Sequence, residues 1–162
     1  MKAMINRRYG DPSVLTLADL PRPAPGPGEV LVKVHAAAVD PGVWILVTAR
    51  PPAMRLMGFG LLRPRHPVRG RDLAGVVVSP GGTFAVGDEV YGTCDRGSFA
   101  EYAAAPEKWL ARKPARLSFA EAAAVPVSGQ TALEAIRGRT AARPPRPRST
   151  ASPRDIRVGR SS

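Results

Sequence analysis

Val30-Leu31-Val32-Lys33-Val34-His35-Ala36 alternates, with Val30, Val32, Val34 and Ala36 on one face and Lys33 and His35 on the other. A period of two marks a strand with one buried face. Because His35 shares the wetter face with Lys33, it reads as a surface histidine and not as a ligand. Just upstream, Pro21-Arg22-Pro23-Ala24-Pro25-Gly26-Pro27-Gly28 cannot donate a regular ladder of hydrogen bonds and is expected to be a stiff extended connector. It would join a first hairpin to the core.

Downstream, Leu73-Ala74-Gly75-Val76-Val77-Val78-Ser79 ends in Pro80-Gly81-Gly82, an apolar strand closed by turn residues whose glycines can take positive φ. Glu89-Val90-Tyr91-Gly92 and Ser98-Phe99-Ala100-Glu101-Tyr102-Ala103 predict two more short strands. Many short strands between Gly/Pro turns point to a closed or nearly closed β-barrel, not to a βαβ sheet. Helix signals are few. Asp40-Pro41 is an N-cap followed by proline, opening a helix through about Val47. Ser118-Phe119-Ala120-Glu121 is a capping box. A last helix is expected from Ser128 through Arg137, with Gly138 as its stop. The fold class is therefore mainly β with short helices, an α+β chain built on a partly closed barrel.

Between Ala49 and Arg69 four prolines interrupt a run whose apolar residues, Met54, Leu56, Met57, Phe59, Leu61 and Leu62, have no clear period. Two readings stand: a loop packed on the domain's own core, or a mobile apolar loop beside a pocket.

A seam lies near Arg137. Residues 1–136 carry 16 Lys+Arg against 12 Asp+Glu, whereas residues 137–162 carry 8 arginines against Asp155 alone, so most of the net +11 charge belongs to the tail. The tail has no aromatic residue, and its large aliphatics are only Ile156 and Val158, too little apolar surface to offset the entropy of ordering it. The expected organisation is one domain over 1–136 and a disordered Arg/Pro/Ser-rich tail over 137–162. One cysteine, Cys94, excludes an internal disulfide framework and any multi-thiolate metal site. No segment approaches the roughly 20 apolar residues needed to span a bilayer, and the start has no signal-like stretch. A soluble cytoplasmic protein with no membrane partner is the expectation.

Six segments occur in an order that resembles a known family: Gly28-Glu29-Val30-Leu31-Val32-Lys33-Val34, Ala38-Val39-Asp40-Pro41, Gly70-Arg71-Asp72-Leu73-Ala74-Gly75-Val76-Val77, the run from Phe84 to Gly92, Gly97-Ser98-Phe99-Ala100-Glu101-Tyr102, and the run from Ala123 to Ala132. Together they resemble the N-terminal, GroES-like domain of the medium-chain dehydrogenase/reductase superfamily, in its zinc-independent quinone-oxidoreductase branch. Most of these residues have structural reasons to be there. Gly87-Asp88 makes a turn before a strand, Gly75 permits close backbone approach, and Asp72 can tie a loop through backbone hydrogen bonds.

The resemblance implies that this branch transfers hydride from NADPH to a quinone, an enone or an activated carbonyl, the protein orienting cofactor and small-molecule substrate. In zinc-dependent relatives the metal takes a cysteine from the segment matching Ala38-Val39-Asp40 and a histidine from that matching Gly70-Arg71-Asp72. Neither is present, and two scattered histidines with one cysteine offer no tetrahedral set, so no zinc is expected. By resemblance Asp40 and Thr131 are nicotinamide neighbours. No catalytic residue is assigned. Asp40 replaces the family's usual asparagine, exchanging an amide that donates for a carboxylate that only accepts; it also reads simply as a helix cap. Val43 stands where relatives often carry a polar or acidic residue.

In the family the last helix leads into a Rossmann strand and a glycine-rich turn that holds the pyrophosphate. Here the chain reads Gly138-Arg139-Thr140-Ala141-Ala142-Arg143-Pro144-Pro145, and the nearest imitation of that turn, Gly58-Phe59-Gly60-Leu61-Leu62-Arg63, lacks the third glycine and the preceding strand. The expectation is a substrate-side domain from a frameshifted or truncated gene, inactive by itself, with an apolar patch that favours aggregation or a homo-oligomer. Two other classes stay open: a free-standing binding or oligomerisation module, and a nucleic-acid binder acting through the tail. The second is disfavoured because no aromatics are interleaved with its arginines.

Overall fold

The computed structural model describes residues 1–50 and 63–141, with side chains described through Gly138. The Pro51–Leu62 part of the unreadable segment, including Gly58 and Gly60, and the tail beyond Ala141 lie outside the described residues.

Seven strands and three helices follow in order: β1 (Lys2–Ile5), β2 (Thr16–Asp19), β3 (Glu29–Ala37), α1 (Pro41–Thr48), β4 (Asp72–Val77), β5 (Glu89–Thr93), β6 (Tyr102–Pro106), β7 (Leu110–Arg112), α2 (Phe119–Ala123) and α3 (Pro126–Ala141). The main sheet has the order β6-β3-β4-β5-β7 and every pairing is antiparallel. β1 and β2 form the separate first hairpin. Single bridges from Ala3 to Ala100 and from Ile5 to Val68 attach it to the chain flanking the sheet, curling the whole towards closure. The result is the partly closed, mainly β barrel that the strand signals predicted.

β3 behaves as its alternation requires. Val30 and Val32 are fully buried, Val34 packs on the same core, and Lys33 and His35 are exposed. They join Leu73, Val77, Phe84, Val90 and Cys94 in the main apolar cluster. β4 has a second covered face, where Ala74 meets Ala122 and Ala123 of α2. Burial on both faces explains why its sequence is an almost unbroken apolar run. Gly75 sits where β4 crosses β3 so closely that a Cβ would collide with the Lys33 carbonyl oxygen. The capping box forms as predicted: the Ser118 side chain accepts from Glu121 N, and Glu121 accepts from Ser118 N.

Several expectations need correcting. Ser98–Ala103 was expected as one strand, yet the ladder begins only at Tyr102 and Ala100 makes an isolated bridge; Gly97, at φ 103°, turns the chain just before it. Gly81 and Gly82 do not take positive φ. Gly81 is small because a Cβ there would collide with Glu107 and Val30; Glu107 folds over this turn, accepting from Gly82 N at 2.9 Å and Thr83 N at 2.6 Å. β7, pairing with β5, had no clear sequence signal because it is only three residues long. α3 starts two residues earlier than expected and continues through Gly138 to Ala141, so the seam at Arg137 falls inside a helix. Gly138 fails as a stop because a glycine within a helix costs only about 1 kcal/mol, and it is not among the glycines at positive φ.

Candidate functional site

Asp40 ends the loop after β3 and caps α1. Its Oδ1 accepts from Gly42 N at 2.6 Å, Pro41 occupies the first helical turn, and the carboxylate is 6% exposed. Its Oδ2 is buried with no hydrogen-bond partner among the described residues. Asp72, at the first position of β4, is 1% exposed; its Oδ2 accepts from Val127 N at 3.3 Å, and its Oδ1 is likewise unpartnered among the described residues. Burial pushes the Asp72 carboxyl up to about 6, against the Val127 hydrogen bond and with the Asp40 charge adding to the rise. Asp72 is thus a buried carboxylate at the start of α3 that feels the charge of Asp40, the cap of α1. The expected role of Asp72 as a backbone tie holds, and what it ties is that helix.

Thr131 lies one turn further along α3, exposed, with its hydroxyl donating to Val127 O at 2.8 Å. Val127 links Asp72 to Thr131 by hydrogen bonds, and among the described residues no hydrogen bond joins Asp40 to Asp72 or to Thr131. Val43 faces inward at 4% exposure, whereas Trp44 beside it is half exposed. Val43 is thus a core contact.

Beside α1 opens a cavity of about 500 Å³, within the range of small-molecule sites. Ile45 and Leu46 of α1 and Val68 supply apolar wall, and the chain from Arg65 to Arg71 supplies the other side. Arg69 is 6% exposed; its Nε donates to Asn6 Oδ1, and its Nη2 has no partner among the described residues. Sequence reading missed Arg69 altogether. Its signal was an arginine two residues before Arg71 in a run otherwise leading into a buried strand.

For a metal the donor set is thin. Among the described residues no three His, Cys, Asp or Glu side chains gather. Cys94 is buried, and burial pushes its thiol up to about 12, far from the thiolate that a metal needs. For a nicotinamide cofactor the fit is partial. Asp40 Oδ2 is an acceptor without a donor, which suits a carboxamide N–H, but the Val127 N–H at the start of α3 is already taken by Asp72. A carboxylate there disfavours a phosphate at that helix end. Among the described residues no helix is long and apolar enough to cross a membrane.

An antiparallel, partly closed barrel with an apolar cavity beside the first helix is the architecture of an alcohol dehydrogenase GroES-like domain. Residues 26–115, more than half the chain, match the alcohol dehydrogenase GroES-like domain, and the chain belongs to that family. A zinc-type alcohol dehydrogenase-like protein of Schizosaccharomyces pombe is 38% identical over 150 residues, covering 86% of this chain and 43% of its own length. The chloroplastic NADPH-dependent alkenal/one oxidoreductase of Arabidopsis thaliana is 36% identical over 149 residues, covering 84% and 37%. The quinone oxidoreductase of Coxiella burnetii superposes with a TM-score of 0.74 at 31% identity, covering 85% of this chain and 44% of that one. The chain thus spans about two fifths of the length of the relatives it matches.

Proposed function

We propose that residues 1–138 form the substrate-side half of an NADPH-dependent oxidoreductase that transfers hydride to a quinone, an enone or another activated carbonyl without zinc. The observation that carries this reading is the cavity of about 500 Å³ between α1 and the Arg65–Arg71 chain, a short distance along α1 from the capping Asp40. Asp40 and Thr131 are the nicotinamide neighbours: Asp40 Oδ2 accepts from the carboxamide, and the Thr131 hydroxyl, released from Val127 O, donates to it. NADPH supplies the hydride. The residues of this chain hold the acceptor, exclude water from the apolar wall and orient the ring.

Zinc independence rests on the donor chemistry, since the two segments that would supply cysteine and histidine supply Asp40 and Arg71 instead. The NADPH preference rests on the likeness to the NADPH-dependent alkenal/one oxidoreductase of Arabidopsis thaliana. The exposed Leu133 and Ile136 of α3 offer apolar surface that a cofactor-binding half would cover. A nucleic-acid role would rest on tail arginines outside the described residues and gains no support from the cavity.

The test uses purified 162-residue chain with NADPH and either a quinone or a short enone, followed at 340 nm. The expected result is no consumption above the blank. The same chain continued from codon 137 in the reading frame that encodes an apolar strand and glycine-rich turn is expected to consume NADPH. Turnover by the 162-residue chain, or an inert extended protein that binds NADPH, overturns the proposal.

A further inference from the structure

From Asp40 to Asp72 the sequence holds six arginines, one histidine and no carboxylate between them. Described residues from its two ends line the cavity. Arg65, Arg69 and Arg71 line it, against Asp95 as the lone carboxylate on the wall, leaving two positive charges over with His66 neutral. None of these three guanidinium groups makes an ion pair among the described residues. The Pro51–Leu62 segment cannot supply a counterion, because it contains no Asp or Glu.

An exposed charge run needs no partner, but Arg69 is not exposed. It is 94% removed from solvent on the complement of its 6% exposure, is held at Nε by the neutral Asn6 amide, and leaves Nη2 unsatisfied among the described residues. Burial accordingly lowers its pKa, with Tyr9 acting in the opposite direction. A buried cation without a counterion is expensive, and native proteins resolve it by pairing. The missing partner is an anion. The cavity beside Arg69 is where one would come from, and Arg71, exposed on the same wall, offers a second fork for a carboxylate.

We propose that this cavity takes an anionic acceptor: a small molecule whose apolar body lies against Ile45, Leu46 and Val68 and whose carboxylate is drawn towards Arg69 and Arg71. The inference rests on the cavity's being the substrate cleft and adds the class of substrate. The alternative source of negative charge is the cofactor's phosphates, which carry no apolar body.

The test is binding to the purified 162-residue chain, read by amide shifts at Gly42, Ile45, Gly70 and Arg71. The probes are hexanoate, its neutral isostere hexanamide, and inorganic pyrophosphate. Hexanoate is expected to shift these amides and to bind about tenfold more tightly than hexanamide, the scale of one charge-assisted hydrogen bond. The preference should shrink in Arg65→Gln/Arg71→Gln, which leaves Arg69 as the one cation on the wall, and persist undiminished in Lys108→Gln, which does not line the cavity. Arg69→Met, should it fold, is expected to bind both probes equally. Equal binding of the two probes at these amides overturns the anion preference and leaves the cleft standing. Shifts that avoid the cavity with both probes overturn cleft and preference together. Pyrophosphate shifting the same amides as strongly as hexanoate overturns the substrate assignment, because the charge would then belong to the cofactor.

Discussion

β4 and α3 are joined at one point, the Asp72 carboxylate on Val127 N, and are opposite in every other respect. All of β4 except Val76 is buried, with the main core on one face and α2 on the other. The described side chains of α3 from Ser128 to Gly138 are exposed, Leu133 and Ile136 included. In β4 the neighbours dictate each residue, down to a glycine that lets two backbones touch. From Ser128 onward the described side chains of α3 are exposed, so local propensity outweighs packing there and the helix runs through Gly138. What the difference teaches is that a residue pattern is decisive where packing enforces it and permissive where it does not.

That contrast gives a graded set of tests. Leu73→Ala is expected to remove about 3–4 kcal/mol of stability by opening a cavity in a core that cannot collapse, while Leu133→Ala on α3 should stay within about 0.5 kcal/mol. Urea unfolding of the two variants checks this, and equal losses would break the comparison. The joint itself should be pH-sensitive. The Asp72 carboxyl titrates at about 6 in the folded chain against an ordinary value of 3.8, so between those pH values the folded chain holds a proton that the unfolded chain has released. This group's contribution to stability therefore falls as pH rises from about 4 to 6 and is level above that. At about 1.4 kcal/mol per unit the change is of order 2–3 kcal/mol. Melting temperatures of the parent chain and Asp72→Asn across that window should diverge from each other with pH, and parallel curves would show that the carboxylate does not feel its burial. Below the joint in size comes the cap of α2, whose helix covers one face of β4: Ser118→Ala should cost about 1 kcal/mol. A thermal melt unchanged by that substitution would mean that α2 is held by packing alone.

Much of the fold was legible because its signals are local. The alternation of Val30, Val32 and Val34, the Asp40-Pro41 cap and the Ser118/Glu121 box each encode their own geometry within a few residues, and each forms. The misses share a cause. Glu107 folding over Gly82 and Thr83 spans about 25 positions, β7 is too short to show a period, and the strand expected from Ser98 yields its first residues to β1, far away in sequence. Of the candidate site, Asp40 was readable as a cap and by resemblance as a cofactor neighbour. Its unpartnered Oδ2 and its electrostatic coupling to Asp72 were not readable. Nor was Arg69, since an arginine in a basic run looks solvated until the fold buries it.

The sequence by itself determined the strand signals, the caps, the family and the thinness of any metal donor set, all of which depend on residue identity and short spacings. Only the tertiary structure decided that Asp72 is buried within reach of the Asp40 charge, that Arg69 is a cation without a counterion among the described residues, and that the cavity lies between Arg69 and α1. Burial and charge pairing depend on which distant residues arrive at the same place, and hydrogen bonds such as Arg69 to Asn6 or Asp72 to Val127 join positions more than fifty residues apart.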